Sequence, residues 1–78
     1  MAYVLTLKLN GETRETIRRT KKTVASVDLW KLCYRALESD GALATNRAWD
    51  LMHDTNAWNG EPVTFLIRNG WSVSVERE

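Results

Sequence analysis

Residues 63–75, with the sequence VTFLIRNGWSVSV, decide the fold that this chain is expected to adopt. On each side of Asn69-Gly70, apolar residues recur at every second position, which is typical of strands with one buried face. A two-residue loop at Asn-Gly would place Phe65 opposite Ser74 and mix the two faces. A three-residue loop, Arg68-Asn69-Gly70, instead pairs Phe65 with Val73 and gives one apolar face, with Gly70 in the left-handed conformation. The sequence therefore predicts a hairpin with a three-residue loop.

The first twenty residues repeat this arrangement around Asn10-Gly11. Leu9-Asn10-Gly11, taken as the loop, sets Lys8 opposite Glu12 and Tyr3 opposite Ile17. The second strand of this hairpin has few apolar residues and many Thr and Arg, as expected for an edge strand that resists unwanted pairing.

Two helices are predicted between the hairpins. Ser26 is expected to cap the first, with Asp28 in the first turn and a left-handed Gly41 after the end. Its apolar side is formed by Leu29, Trp30, Cys33, Ala36 and Leu37. The second helix is expected from about Thr45 to Thr55, with an inner face of Ala44, Ala48, Leu51, Met52 and Thr55.

The layout is thus β-β-α-α-β-β, an α+β fold in which two hairpins form an antiparallel four-stranded sheet and both helices pack on one face. The 78 residues are expected to form a single compact domain, residues 1–78. The order of the strands beyond the two hairpin pairs does not follow from the sequence.

Composition argues against catalysis and against a membrane protein. There is no apolar run long enough to span a bilayer and no signal-peptide pattern at the N-terminus, so a cytoplasmic protein is expected. Cys33 is the only cysteine and lies on the apolar side of the first helix, where a buried thiol is expected. His53 is the only histidine, and together with Asp50 or Asp54 it is too small a set to indicate a metal site. We therefore expect neither an enzyme nor a bound cofactor or metal.

Charge is distributed unevenly along the chain. Residues 1–39 contain eight Lys and Arg against four Asp and Glu, whereas residues 40–78 contain three against six. Basic side chains along a strand and its exit loop can follow a phosphate backbone, so nucleic-acid binding is one functional alternative; a solvated edge strand explains the same residues. The basic set is Lys8, Arg14, Arg18, Arg19, Lys21 and Lys22.

Four tryptophans in so short a chain are unusual. Trp30 and Trp71 fall on apolar faces and are expected in the core. Trp49 lies one helical turn from His53, off the apolar face of the second helix, and Trp58 lies in a polar loop. Trp49, His53 and Trp58, with Asp50 and Asp54 as a charged rim, form a candidate partner-binding surface; alternatively, the two tryptophans close the rim of the core.

A short chain with a compact sheet-and-helix layout, no catalytic set and uneven charge resembles the small phage-encoded inhibitors called anti-CRISPR proteins. The resemblance is one of size and layout and rests on no motif. It implies binding to a larger host protein or nucleoprotein complex and blocking of target-DNA recognition. The leading expectation is a non-enzymatic protein-interaction module of this kind, and the alternative is nucleic-acid binding through the basic strand.

Overall fold

The structure, a computed structural model, describes residues 2–42 and 46–78 and contains the two predicted hairpins and two helices. Their order is β1 (Tyr3–Leu9), β2 (Glu12–Arg19), α1 (Lys22–Ser39), α2 (Asn46–Asn56), β3 (Val63–Leu66) and β4 (Trp71–Arg77). The strands form one antiparallel sheet in the order β2-β1-β4-β3. The predicted α+β fold is confirmed, and β2 is an edge strand as expected. Neither helix is long and apolar enough to cross a membrane in the part of the chain that is described.

The hairpin of β3 and β4 has the predicted register. Phe65 lies opposite Val73 and Val63 opposite Val75, and the Ile67 N–H donates to the Trp71 carbonyl at 2.9 Å. Asn69 and Gly70 both have positive φ, as the central residues of a type I′ turn require. Arg68 is the additional residue that keeps the apolar side chains of both strands on one face.

The hairpin of β1 and β2 has a two-residue loop, so the predicted three-residue loop is wrong. Leu9 pairs with Glu12 and Lys8 with Thr13, and Leu5 pairs with Ile17 after a bulge between Leu7 and Lys8. Leu7 pairs with Glu15 and Lys8 with Thr13, so Arg14 is the additional residue of β2 at the bulge. Without the bulge Ile17 would point to the other face of the sheet, because a shift of one residue exchanges the two faces. The hairpin keeps the partly buried Ile17 on the core side by moving the extra residue from the loop into the strand.

α1 begins at Lys22, one turn before the predicted cap at Ser26. The first helical hydrogen bond runs from the Ala25 N–H to the Lys21 carbonyl at 3.0 Å, and Lys21 makes no side-chain cap. Ala25 is fully buried, so the additional turn adds an apolar residue to the core. The helix ends as predicted: Gly41 has a φ of 69° and its N–H donates to Glu38, while the Ala42 N–H donates to Leu37, which is the Schellman arrangement.

α2 agrees with the predicted helix in most of its inner face. Ala48, Leu51 and Thr55 are buried, whereas Met52 is exposed at the border of that face. Two further residues assigned to this helix, Ala44 and Thr45, lie outside the described residues.

The core lies between α1 and the two central strands. α1 contributes Leu29 and Leu32, both fully buried, and α2 closes the core from the side with Leu51. The sheet contributes alternate residues of β1 and β4, namely Leu5, Leu7, Val73 and Val75.

Two ion pairs connect β2 to α1. The Arg19 Nε lies 2.7 Å from Oδ2 of Asp28, and Arg35 pairs with Glu15. The prediction of Asp28 in the first turn is wrong, because α1 begins at Lys22, and the Asp28 carboxylate is buried. No described group donates a well-directed hydrogen bond to that Oδ2, so we treat the contact with Arg19 as an electrostatic pairing.

The face of the sheet opposite the helices is polar. Thr16, Thr6, Ser74 and Thr64 are cross-strand neighbours, one from each strand. Because strand residues alternate between faces, this row of hydroxyl groups lies on the side away from Leu5 and Val75. That side is therefore suited to water.

Candidate functional site

Exposed apolar side chains are concentrated on the helix layer. Six large hydrophobic residues are exposed in the described part of the chain, and five of them belong to α1 and α2. The sixth, Leu66, lies on edge strand β3. We call the following group the outer helix surface: Val24, Val27, Trp30, Tyr34, Trp49 and Met52.

Helical periodicity explains why this surface is continuous. Along α1, Val24, Val27 and Tyr34 lie at spacings of three and seven residues, so they share one side, with Trp30 next to them. The side of α1 that contacts the sheet carries Ala25 and Leu29 instead. α1 therefore has a second apolar stripe that no element of the described fold covers.

A groove of about 240 Å³ lies between α1 and α2 at the centre of this surface. Trp30 and Tyr34 stack on each other at 5.1 Å between ring centroids, with planes 27° apart, and form the α1 side. Met52 lies on the α2 side, and buried residues such as Cys33 and Leu51 line the interior. Most of the described lining residues are apolar. Thr55 and Tyr34 each carry a hydroxyl group.

A second depression continues the groove past Trp30. It is lined by Ser26, Val27, Trp30 and Asn56. Since the start of α1 and the end of α2 meet here, while Leu37 and Ala48 meet in the first groove, the two helices run antiparallel. The groove is therefore a channel between two antiparallel helices, a geometry into which helical or extended segments of partners dock by their apolar side chains.

Trp49 and His53 are exposed on α2, off its apolar face as predicted. Trp49 is 70% exposed, the highest value among the large hydrophobic residues described. Asp50, His53 and Asp54 are exposed on the same helix. These four members of the predicted partner-binding surface are thus accessible, and Met52 connects Trp49 to the groove at a spacing of three residues.

Trp58 does not belong to that surface, and its assignment as an exposed anchor is wrong. It is 8% exposed and packs with Tyr3 in an edge-to-face arrangement, with ring centroids 5.7 Å apart. Its Nε1–H donates to the Glu61 carbonyl at 2.7 Å. An indole buried with its donor satisfied is a core element, so the alternative of a tryptophan closing the core describes Trp58.

The predicted basic set is not one patch. Arg18 pairs with Glu78, and Arg19 pairs with Asp28 on the helix side of the sheet. Lys21 and Lys22 lie at the start of α1. Lys8 and Arg14 lie near the loop of the first hairpin, with Arg14 at the bulge. Lys8, Arg14, Lys21 and Lys22 form no ion pair with another side chain of the described residues.

Cys33 and His53 are the two residues that a catalytic or metal-binding site would most need, and they lie apart from any such grouping of described side chains. Cys33 is buried in the lining of the groove, and His53 is exposed on α2. Within residues 2–42 and 46–78, no three His, Cys, Asp or Glu side chains lie close enough together to hold a metal ion.

Sequence reasoning missed the part of the surface that α1 contributes. Trp30 was assigned to the core, but it is half-buried and borders both depressions. The signal was present in the sequence, because α1 carries apolar residues at Val24, Val27 and Tyr34 outside its core-facing stripe. A helix with two apolar stripes has one more than a single core requires.

Comparisons with protein families, with curated proteins and with solved structures found no match to this chain.

Proposed function

We propose that this chain is a non-enzymatic protein-interaction module whose partner binds the outer helix surface. The observation that carries the proposal is the asymmetry between the two faces of the molecule. The helix side exposes aromatic and apolar side chains around a groove, while the opposite face of the sheet presents a row of hydroxyl groups. Contiguous exposed apolar surface of this kind is characteristic of interaction sites.

The residue types of the surface suit partner binding. Tryptophan, tyrosine and methionine are enriched at protein interfaces, and aromatic residues dominate the energetic hot spots. The Trp30–Tyr34 stack provides a rigid wall and Met52 an adaptable one. A large apolar side chain of the partner would fill the groove, and Trp49 would contact the partner beside it.

The charged residues of α2 would contribute orientation more than affinity. Asp50 and Asp54 are exposed, and charges at the rim of an interface mainly affect association rate and specificity. A partner with basic residues flanking its apolar anchor would match this rim.

An inhibitor role is the form of this proposal that the size and layout of the chain suggest. In that form the partner is a larger host protein or a nucleoprotein complex, and binding blocks recognition of target DNA. The resemblance to anti-CRISPR proteins is what supports inhibition. The outer helix surface supports only the binding of a partner.

The experiment is affinity capture from candidate hosts with matched surface variants. Trp49→Ala removes the exposed anchor on α2, and Leu66→Ala removes a side chain of nearly equal exposure, 69%, on the sheet. We expect a captured protein that is retained by the Leu66 variant and lost by the Trp49 variant. With the purified pair, Trp49→Ala should raise Kd by about 30-fold, which corresponds to about 2 kcal/mol. Captured proteins that respond equally to both variants would contradict the proposal.

Nucleic-acid binding is the second candidate function. It is supported by the four members of the predicted basic set that form no ion pair with a described side chain, of which Lys8 and Arg14 lie close together on neighbouring strands. The remaining two, Lys21 and Lys22, follow β2 at the start of α1. The neutralisation of Arg18 and Arg19 by carboxylates reduces the number of cations that can contact phosphate.

A further inference from the structure

We propose that the outer helix surface also binds itself, so that two copies of this chain associate face to face through α1 and α2 about a two-fold axis. The inference rests on the same surface as the proposed function, but it names a different occupant, a second copy. Three properties of the surface support it: a protrusion and a cavity on one face, opposite charges on the two helices, and a sufficient area.

The protrusion is Trp49 and the cavity is the groove between α1 and α2. Trp49 is exposed, and Met52, three residues further along α2, lines the groove. In a two-fold dimer each contact occurs twice, so a surface that carries both a protrusion and a matching cavity satisfies both at once. The groove has a volume of about 240 Å³ and a mostly apolar lining. In the dimer it would remove from water the indole of Trp49 of the second copy, which is 70% exposed in one copy alone.

The charges of the two helices are complementary in the same arrangement. Lys31 is exposed on α1 and forms no ion pair with a described side chain, and Asp50 and Asp54 are exposed on α2 and pair with no described side chain. A two-fold axis parallel to the helices places α1 of one copy over α2 of the other. Each α1, which carries Lys31, then lies over the α2 helix of the second copy, which carries Asp50 and Asp54, and this unlike charge favours the arrangement over α1 on α1.

The area of the molecule is adequate for such an interface. The Cα atoms of the whole molecule extend over 34 × 25 × 15 Å, so an interface of roughly 800 Å² per partner, the standard size, would use most of one broad face. The result would be a four-layer particle in which both helix layers are internal and both polar sheet faces remain in water. It also implies that any other partner of this surface competes with the second copy.

The first experiment measures mass against concentration by sedimentation velocity, from low micromolar to millimolar protein. We expect a reversible change toward twice the monomer mass of 9.0 kDa. Trp49→Ala should weaken dimerisation at least tenfold, and Leu66→Ser, on the opposite side of the molecule, should leave it unchanged. A wild-type protein that stays monomeric at millimolar concentration would overturn the inference.

A charge exchange tests the orientation. Lys31→Glu alone, or Asp50→Lys with Asp54→Lys, places like charges opposite each other and should weaken each homodimer. Mixing the two variants restores unlike charges at both contacts, so the heterodimer should form with nearly the wild-type Kd. A wild-type dimer that is insensitive to Trp49→Ala and to both charge variants would show that another surface, such as a sheet edge, is used.

The thiol of Cys33 provides a second measurement that does not depend on a variant. Because Cys33 lines the groove, its modification by a thiol reagent should slow as the concentration of wild-type protein increases. A rate that is independent of concentration across the dimerisation range would count against occupation of the groove. A monomeric chain that still captures a Trp49-dependent protein would overturn self-association and leave the proposed function intact.

Discussion

The side-chain oxygen Oδ1 of Asn10 lies next to the position that a Cβ atom on residue 70 would occupy, closer than van der Waals contact allows. In addition, the Asn10 N–H donates to the Gly70 carbonyl at 2.8 Å. The two hairpin loops therefore contact each other at the end of the sheet where Leu9 pairs with Trp71. Gly70 is favoured by its φ of 87° and by the nearby side chain of Asn10, whereas a Cβ on Gly11 would meet no atom of the described residues within 4 Å.

Gly70→Ala should consequently destabilise the protein more than Gly11→Ala. Both substitutions place alanine at positive φ, which costs about 1 to 2 kcal/mol. Residue 70 adds a conflict with the exposed side chain of Asn10, and because rotation of that side chain relieves it, we expect Gly70→Ala to cost about 0.5 to 1 kcal/mol more than Gly11→Ala. Urea denaturation of the two single variants measures the difference. Adding Asn10→Gly removes the conflicting side chain, so the double variant should recover part of the loss; equal costs at the two glycines would contradict the contact.

Trp58→Ala should destabilise the protein strongly, whereas Trp49→Ala should leave its stability almost unchanged. Trp58 is buried against Tyr3 with its Nε1–H donating to Glu61, and its truncation should lower the free energy of unfolding by about 3 to 5 kcal/mol. Trp49 is exposed, so its truncation should change that free energy by less than about 0.5 kcal/mol. Denaturation monitored by circular dichroism compares the two variants directly. If Trp49→Ala unfolds the chain, the outer helix surface is part of the core and the proposed function loses its support.

Arg19 and Arg18 offer a matched comparison of ion pairs. Arg19 pairs with the buried carboxylate of Asp28, and Arg18 pairs with the exposed Glu78. Arg19→Met should cost about 2 kcal/mol because it leaves a buried carboxylate without a partner. Arg18→Met should cost less than about 0.5 kcal/mol.

Replacement of both members of the buried pair provides the control. Arg19→Met combined with Asp28→Leu removes the unpaired charge, so it should be more stable than Arg19→Met alone. A double variant less stable than the single one would show that Asp28 has a favourable role beyond its pairing with Arg19.

Nucleic-acid binding can be tested through the basic side chains without ion pairs. Lys8→Ala with Arg14→Ala should reduce the dependence of log K on log salt by up to about two units, roughly one per lost phosphate contact. Fluorescence anisotropy with single- and double-stranded oligonucleotides measures this slope, and Arg18→Ala serves as the comparison because Glu78 already neutralises Arg18. Undetectable binding by the wild type at about 50 mM salt, which favours such contacts, would exclude this function.

The sequence predicted the hairpin of β3 and β4 correctly because both strands alternate strongly. With Val63, Phe65, Val73 and Val75 all apolar, only one register buries them together. β2 has a single apolar anchor, Ile17, so its register could be moved by a bulge that leaves no sequence signal at Arg14. The same limit applies to the start of α1, where burial of Ala25 outweighed the capping preference of Ser26.

The candidate site was predicted in part for a related reason. Periodicity placed Trp49 and His53 off the apolar face of α2, and they are exposed. Trp58 lies outside any helix or strand, so no periodicity determines its direction, and only the tertiary contact with Tyr3 shows that it is buried. The groove depends on how α1 and α2 pack together, which the sequence of neither helix specifies.

The central position of β1 and β4 in the sheet has a consequence for synthesis of the chain. β1 is made before the other three strands, but its second neighbour, β4, ends at Arg77, so the sheet is incomplete until residue 77 has left the ribosome. During translation the nascent chain can form the β1–β2 hairpin and α1, with the edge of β1 that pairs with β4 left unpaired. Closure by a pairing this distant in sequence is slow compared with local folding. The nascent protein is therefore expected to need protection from aggregation until β4 arrives.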